Sequence, residues 1–166
     1  MKLNKLQKKI GISFKDDKLL IQALTHKSFD TKNNYEKLEF LGDRVLGFVI
    51  SKKLLELYPN EKVGMIDKKL ANLVNKNKCF EIGKELELDN YILTGNTEKK
   101  KKVNIEKKII SDCCESLIGA IYIDKGFEVS SKFILNYWKN YLNLSDITVI
   151  DSCLLYTSDA ADDAGS

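Results

Sequence analysis

Proline occurs once, at Pro59, and glycine only nine times in 166 residues. So few chain breakers exclude collagen-like, proline-rich and glycine-linker compositions, and they favour long helices over a turn-rich β-sandwich. No apolar run approaches the ~20 residues that a membrane-spanning helix needs. The first ten residues are interrupted by Lys2, Lys5, Lys8 and Lys9 and lack the unbroken apolar centre of a signal peptide. The expectation from these absences is a cytoplasmic protein with no membrane partner. Cysteine is also scarce: Cys79, Cys113, Cys114 and Cys153 form no CxxC pair, and one histidine, His26, accompanies them. Neither a disulfide framework nor a zinc knuckle is suggested, so the thiols are expected reduced and mostly buried.

What the chain has is a core and charge. Hydrophobic residues make up 43% and charged residues 31%, which suits one compact domain. The overall net charge is +3, but Asp151 to Ser166 carries four aspartates and no lysine or arginine. Residues 1–150 therefore hold 27 basic against 20 acidic residues, a net of +7. That balance is compatible with a nucleic-acid partner, although colloidal stability alone would also account for it.

Hydrophobic periodicity predicts helices over Ser13 to Phe29, Glu36 to Tyr58, Met65 to Asn75, Lys78 to Leu86, Lys108 to Asp124 and Val129 to Leu142. Asp16 and Asp17 favour the first turn of the first of these. Tyr58-Pro59-Asn60 closes the second, and Lys125-Gly126 closes the fifth. Phe133, Ile134, Tyr137, Trp138 and Tyr141 read as a core-packing face. The fold class expected is all-α. Between Thr94 and Lys108 the sequence is polar and includes Lys99, Lys100, Lys101 and Lys102. Four adjacent like charges read as a solvated loop or as a phosphate-contacting patch.

The anomaly lies in the carboxylates. Glu39 and Asp43 are four apart on one helix face, where like charges cost a few tenths of a kcal/mol. Asp112 and Glu115 are three apart within an apolar run that includes Ile109, Ile110, Cys113, Cys114, Leu117 and Ile118. A carboxylate buried there without a partner would be expensive. Two such pairs can converge into one cluster of hard oxygen donors, suited to Mg²⁺ or Mn²⁺ and to attack of water on a phosphodiester. The alternative is ordinary ion pairing, with Arg44 and Lys108 within reach in sequence.

Three stretches then align with a known pattern. Tyr35 to Gly47, YEKLEFLGDRVLG, resembles the signature of the ribonuclease III family. Ser111 to Asp124, SDCCESLIGAIYID, resembles its second acidic motif, and Leu24-Thr25-His26-Lys27-Ser28 resembles its A-L-T-H-[RK]-S segment. The resemblance runs from Leu6 to Leu142 in the family's order and spacing. It implies a ribonuclease III endonuclease-domain-like helical fold that homodimerises and hydrolyses double-stranded RNA with Mg²⁺ (Mn²⁺ as substitute), leaving 5′-phosphate and 3′-hydroxyl ends, in RNA processing that includes ribosomal precursors. No small-molecule organic cofactor is implied. Carried over by position, Glu39, Asp112 and Glu115 are the metal ligands, with Glu115 also catalytic. Asp43 is the carboxylate that orients or activates water, Phe40 is the dimer-interface aromatic or an ordinary core residue, and His26 is structural. A naturally single-domain enzyme like mini-ribonuclease III, or a non-catalytic RNA-binding or ribosomal relative, is the alternative.

The sequence departs from the pattern at Val63-Gly64, where the family often has Glu-Gly. It departs again at Lys101 to Asn104, in place of a glycine-rich stretch, and at Ser116, in place of alanine. Residues 1–145 are expected to form the endonuclease domain and 146–166 an irregular tail. Within that tail, Cys153 to Asp163, CLLYTSDAADD, resembles a translated sequencing adapter, so 151–166 is expected to be extraneous. The double-stranded-RNA-binding domain that usually follows in bacterial members is then expected to be missing through truncation.

Overall fold

The computed structural model describes residues 2–95 and 105–144. Seven helices account for most of them: α1 (Lys2–Ile10), α2 (Asp17–Ala23), α3 (Glu36–Leu57), α4 (Val63–Leu73), α5 (Lys76–Glu85), α6 (Lys107–Lys125) and α7 (127–144). Among the described residues the only β pairing is an isolated parallel bridge between Thr25 and Leu93. None of the helices is long and apolar enough to cross a membrane. The all-α expectation holds.

α6 is the axis of the fold. Every residue from Ile110 to Ile121 is buried, so the helix is covered on all sides, as its apolar sequence requires. α3, 22 residues and ~33 Å long, lies across it with Leu38, Gly42, Val45, Leu46, Val49, Ile50 and Leu54 turned inward. The two backbones touch where they cross. A β-carbon on Gly42 would stand 1.7 Å from the Glu115 carbonyl oxygen, and one on Gly119 would stand 2.2 Å from that of Leu38. The crossing point thus lies between Glu39 and Asp43 on one helix and beside Glu115 on the other.

α5 packs on another side of α6. α7 contributes Phe133, Ile134 and the fully buried Trp138, whose indole N–H donates to the Leu73 carbonyl at 2.8 Å. This is the core role read from the aromatic spacing. Cys79, Cys113 and Cys114 are buried free thiols, while Cys153 lies outside the described residues.

Helix boundaries differ from the sequence reading at α1, α2, α4, α5 and α7, the last beginning at 127 where Val129 is expected. α1 was not anticipated. It is stopped by Gly11, at φ 68°, with Gly11 N–H donating to the Lys8 carbonyl and Ile12 N–H to that of Gln7, a Schellman ending. α2 is much shorter than Ser13 to Phe29. Asp16 caps it by accepting from the Lys18 N–H at 3.0 Å, while the N–H groups of Lys15 and Asp16 are taken by the Asp124 carboxylate at the far end of α6. Beyond Leu24 the chain leaves the helix to pair with Leu93, through Leu93 N–H to the Leu24 carbonyl and His26 N–H to the Leu93 carbonyl. α4 begins and ends two residues early, because Asn75 is the N-cap of α5 and accepts from the Lys78 N–H at 3.0 Å. α5 accordingly starts at Lys76 instead of Lys78.

The crossing makes a direct test. Gly42→Ala is expected to destabilise the protein by ~3 kcal/mol or more, since backbone must move to admit one methyl group. Gly64→Ala, at an exposed helical position with nothing within 4 Å, is expected to stabilise it by about 0.5 kcal/mol. Chemical denaturation of the two variants measures both, and equal effects would refute the backbone contact.

Candidate active site

α3 and α6 bring Glu39, Asp112 and Glu115 together on the side of the crossing where α5 begins. The side chains of Asp112 and Glu115 are 1% and 2% exposed, a placement that two unpaired carboxylates would not tolerate. Their partner is Lys76, the first residue of α5. Its ammonium donates to Glu115 Oε1 at 2.7 Å, Asp112 Oδ1 at 2.9 Å and Glu39 Oε1 at 3.1 Å. The second oxygen of Asp112 accepts from Lys108 Nζ at 3.0 Å and from the Tyr35 hydroxyl at 3.1 Å. Ser111 Oγ donates to the Lys76 carbonyl at 3.1 Å, tying the start of α5 to α6.

The charges shift accordingly. Burial raises Asp112, but the hydrogen bonds from Lys76 and Lys108 outweigh it and hold the carboxyl below its usual range. For Glu115 burial wins over Lys76. With the negative charges of Asp43 and Glu39 added, it is pushed up to about 7. Glu39 is raised by burial and, after the opposing pull of Lys76, by the charge of Asp112. Burial would lower Lys76, yet its bonds to Glu115 and Asp112 carry it above the usual lysine range. The Tyr35 hydroxyl is raised by burial and by Asp112, so it stays protonated and donates.

Of the four predicted carboxylates, three share one point and the fourth stands apart. Asp43 is half-exposed and pairs with Arg44 at 3.2 Å, near enough to Glu115 to repel its charge. The ion pairs that the sequence offered as an alternative, Arg44 with Asp43 and Lys108 with Asp112, both form. As the side chains stand, no three His, Cys, Asp or Glu residues among those described are arranged as a metal-ligating group. The three carboxylates close on the Lys76 ammonium instead. Their oxygens are nevertheless hard donors converging on a single cationic point, the chemistry that Mg²⁺ and Mn²⁺ select.

Lys76 and Tyr35 were missed as site residues. Lys76 was read as lying between two helices, and recognising Asn75 as a cap would have put it on the first turn of α5 facing α6. Tyr35 opens the signature stretch, and the motif by itself assigns it no role. His26 lies near this cluster without bonding to its acids. Its Nδ1 accepts from the Ser28 N–H at 3.1 Å and from the Ser28 hydroxyl at 2.7 Å, and that hydroxyl oxygen accepts from Gly95 N–H at 2.9 Å. Burial, then the charges of Lys27 and Lys108, lower its pKa. It joins residues 26–28 to 93–95. Ser116 uses its hydroxyl to bond the Ala23 carbonyl, holding α2 against α6. Phe40 is 62% exposed and lies under the guanidinium of Arg44, 3.8 Å from the ring centroid. Lys99, Lys100, Lys101 and Lys102 lie outside the described residues.

Known proteins share this sequence and this fold. The family model described as Ribonuclease-III-like matches residues 16–142. A Ribonuclease 3 of Pelagibacter ubique is 59% identical over 154 residues, covering 92% of this chain and 69% of that protein. A Ribonuclease 3 of Hahella chejuensis is 40% identical over 148 residues, covering 87% and 65%. Among solved structures, the nuclease domain of ribonuclease III from Campylobacter jejuni superposes with a TM-score of 0.75 at 37% identity, covering 82% of this chain and 95% of that one. Dicer from Pichia stipitis shares the fold, with a TM-score of 0.62 at 21% identity over 80% of this chain and 59% of that one. The chain spans between half and about two thirds of the length of most of the curated relatives it matches. On the sequence match across most of its length and on the shared nuclease-domain fold, this chain belongs to the ribonuclease III family of endoribonucleases.

Proposed function

We propose that this chain is the divalent-metal-dependent endonuclease domain of a cytoplasmic ribonuclease III, hydrolysing phosphodiester bonds in double-stranded RNA as a homodimer and leaving 5′-phosphate and 3′-hydroxyl ends, with ribosomal precursors among its substrates. One observation carries the reading: three carboxylates from two crossing helices, two of them buried, point at a single position that a cation fills. The donor set fits Mg²⁺, with Mn²⁺ as substitute, and Glu39, Asp112 and Glu115 would hold it. Bound there, the ion supplies Lewis acidity toward a phosphate oxygen and toward attacking water.

The chain's own residues do the rest. Tyr35 and Lys108 fix the outer oxygen of Asp112, leaving Oδ1 facing the shared point. Their role is to orient a ligand that burial alone would leave free to rotate. Asp43, half-exposed and near enough to Glu115 to repel its charge, would accept a hydrogen bond from water and align it with a phosphate. Without metal, burial and the charges of Asp43 and Glu39 push Glu115 up to about 7, so binding the ion at this carboxylate would require it to lose its proton. Retention of all four acids speaks against a purely RNA-binding role, because carboxylates facing phosphates weaken binding unless chemistry uses them.

The domain is taken as residues 1–145, a boundary supported by the family match ending at 142. Dimerisation is supported by the exposed α3 aromatics, Phe40 and Phe48. They share one face of the helix with Arg44, the chain's only arginine.

Glu115→Gln removes a ligand charge at nearly constant volume and is expected to lower cleavage of a long RNA duplex by on the order of 10²-fold or more while preserving the melting temperature. Asp43→Asn should be severely impaired too, and His26→Ala much less so. A Glu115→Gln enzyme cutting at the parental rate would remove the carboxylate assignment. In sedimentation the parental chain is expected to run as a dimer and Phe40→Asp as a monomer that no longer makes staggered double-strand cuts. A monomeric parent making such cuts would contradict the arrangement. Cleavage by the 166-residue chain is expected to fall steeply between about 50 and 200 mM salt, because a basic surface holding phosphates is screened in proportion to the contacts made. A rate unchanged across that range would show that the duplex is held by other means.

A further inference from the structure

The shared point raises a question of occupancy. Asp112 has only one oxygen free of Tyr35 and Lys108, and that oxygen, Oδ1, is the one Lys76 holds. Glu115 offers Oε1 to the same ammonium, and so does Glu39. An ion that takes these three oxygens at the ~2.0 to 2.1 Å of Mg²⁺ coordination must enter the space where the ammonium sits at 2.7 to 3.1 Å from them. Two cations cannot share that space.

We propose that Lys76 is a built-in competitor of the divalent ion: its ammonium keeps Glu39, Asp112 and Glu115 assembled, and it must swing out as the metal enters. This rests on the functional reading above and adds to it a residue that controls metal affinity.

The surroundings of Lys76 allow such an exchange. Its backbone is fixed by Asn75 capping α5 and by the Ser111 hydroxyl on its carbonyl. The side chain is 56% exposed, on a four-carbon stem with a solvent side to turn into. Exchange therefore needs rotamer changes and no backbone movement. The ammonium also answers a folding problem, since two almost fully buried carboxylates and a third beside them would repel one another in a chain that had yet to meet metal. A ligand that binds only one of two arrangements is weakened by whatever stabilises the other. Lys76 stabilises the arrangement without metal, so it lowers apparent metal affinity while protecting the fold.

The test is titration of Mg²⁺ into the metal-stripped protein by calorimetry, alongside cleavage of a long RNA duplex. Lys76→Met is expected to bind Mg²⁺ about tenfold more tightly than the parent, and to melt at a lower temperature in chelator. Lys76→Arg keeps the charge and is expected to return the affinity to within about threefold of the parental value. Lys78→Met, on the same helix and paired with Glu81, is expected to leave it unchanged. A purely structural lysine would lower the melting temperature and leave Mg²⁺ affinity equal or weaker. That result in a folded Lys76→Met protein overturns the proposal. Should Lys76→Met not fold, the parent still decides: the Cε and Nζ magnetic resonance signals of Lys76 are expected to move to those of a free surface lysine as Mg²⁺ saturates. Signals that stay in place at saturation refute the exchange. A parent that binds Mg²⁺ and cuts RNA, with Lys76→Met binding no tighter, removes this inference alone; a parent that does neither removes the functional reading with it.

Discussion

Two helix backbones in contact are the constraint from which the rest follows. With no β-carbon at Gly42 or Gly119, α3 and α6 approach until the carbonyls of Glu115 and Leu38 fill the space a side chain would take. Close crossing of this kind does more than pack a core. It sets Glu39 on α3 within hydrogen-bonding reach of the lysine that also holds Asp112 and Glu115 on α6. Were the helices separated by ordinary side chains, 8 to 10 Å between axes, the carboxylates of the two elements would answer to separate neighbours. The geometry of the acids is in this sense a property of two glycines.

The electrostatics are in tension by construction. Burial raises Glu115 and Glu39 while hydrogen bonds from lysine pull Asp112 the other way. Each acid is tolerable only because a cation stands among them, and the protein supplies that cation from α5 and from Lys108. Tyr35 adds a neutral donor where another positive charge would crowd Lys108. Such a cluster is costly as a stability device, and that cost is intelligible if the acids are kept for chemistry.

The parts of this picture that the sequence made legible are those governed by strong periodicity. α3 and α6 were read to within one residue at each end, because long apolar stretches on buried helices override local signals. Asp112 and Glu115 stand out as carboxylates inside an apolar run, and Glu39 as one of two like charges, with Asp43, on one helix face. What escaped depended on boundaries and on distant partners. α1 is short, lysine-rich and amphipathic on one narrow face, too weak a periodic signal to mark a helix. α2 was overextended because Thr25 and His26 leave the helix to meet residue 93, a contact no local pattern encodes. Lys76 was hidden by a two-residue shift in where α5 begins. Asp43 was grouped with the other acids by spacing on the helix, whereas Arg44 beside it offers a nearer partner.

α6 plays two parts at once, and this bears on how the protein can fail. The residues that line the cluster belong to the same unbroken buried stretch, Ile110 to Ile121, on which α2, α3 and α5 all rest. Enzymes whose acids sit on surface loops can lose activity by local fraying while the body stays intact. Here Asp112 and Glu115 are in the last place to open, so their geometry survives partial unfolding of the periphery and disappears only with the whole domain. The same coupling narrows the routes open to mutation: a substitution at Asp112 or Glu115 is also a substitution inside the buried stretch that holds the domain together.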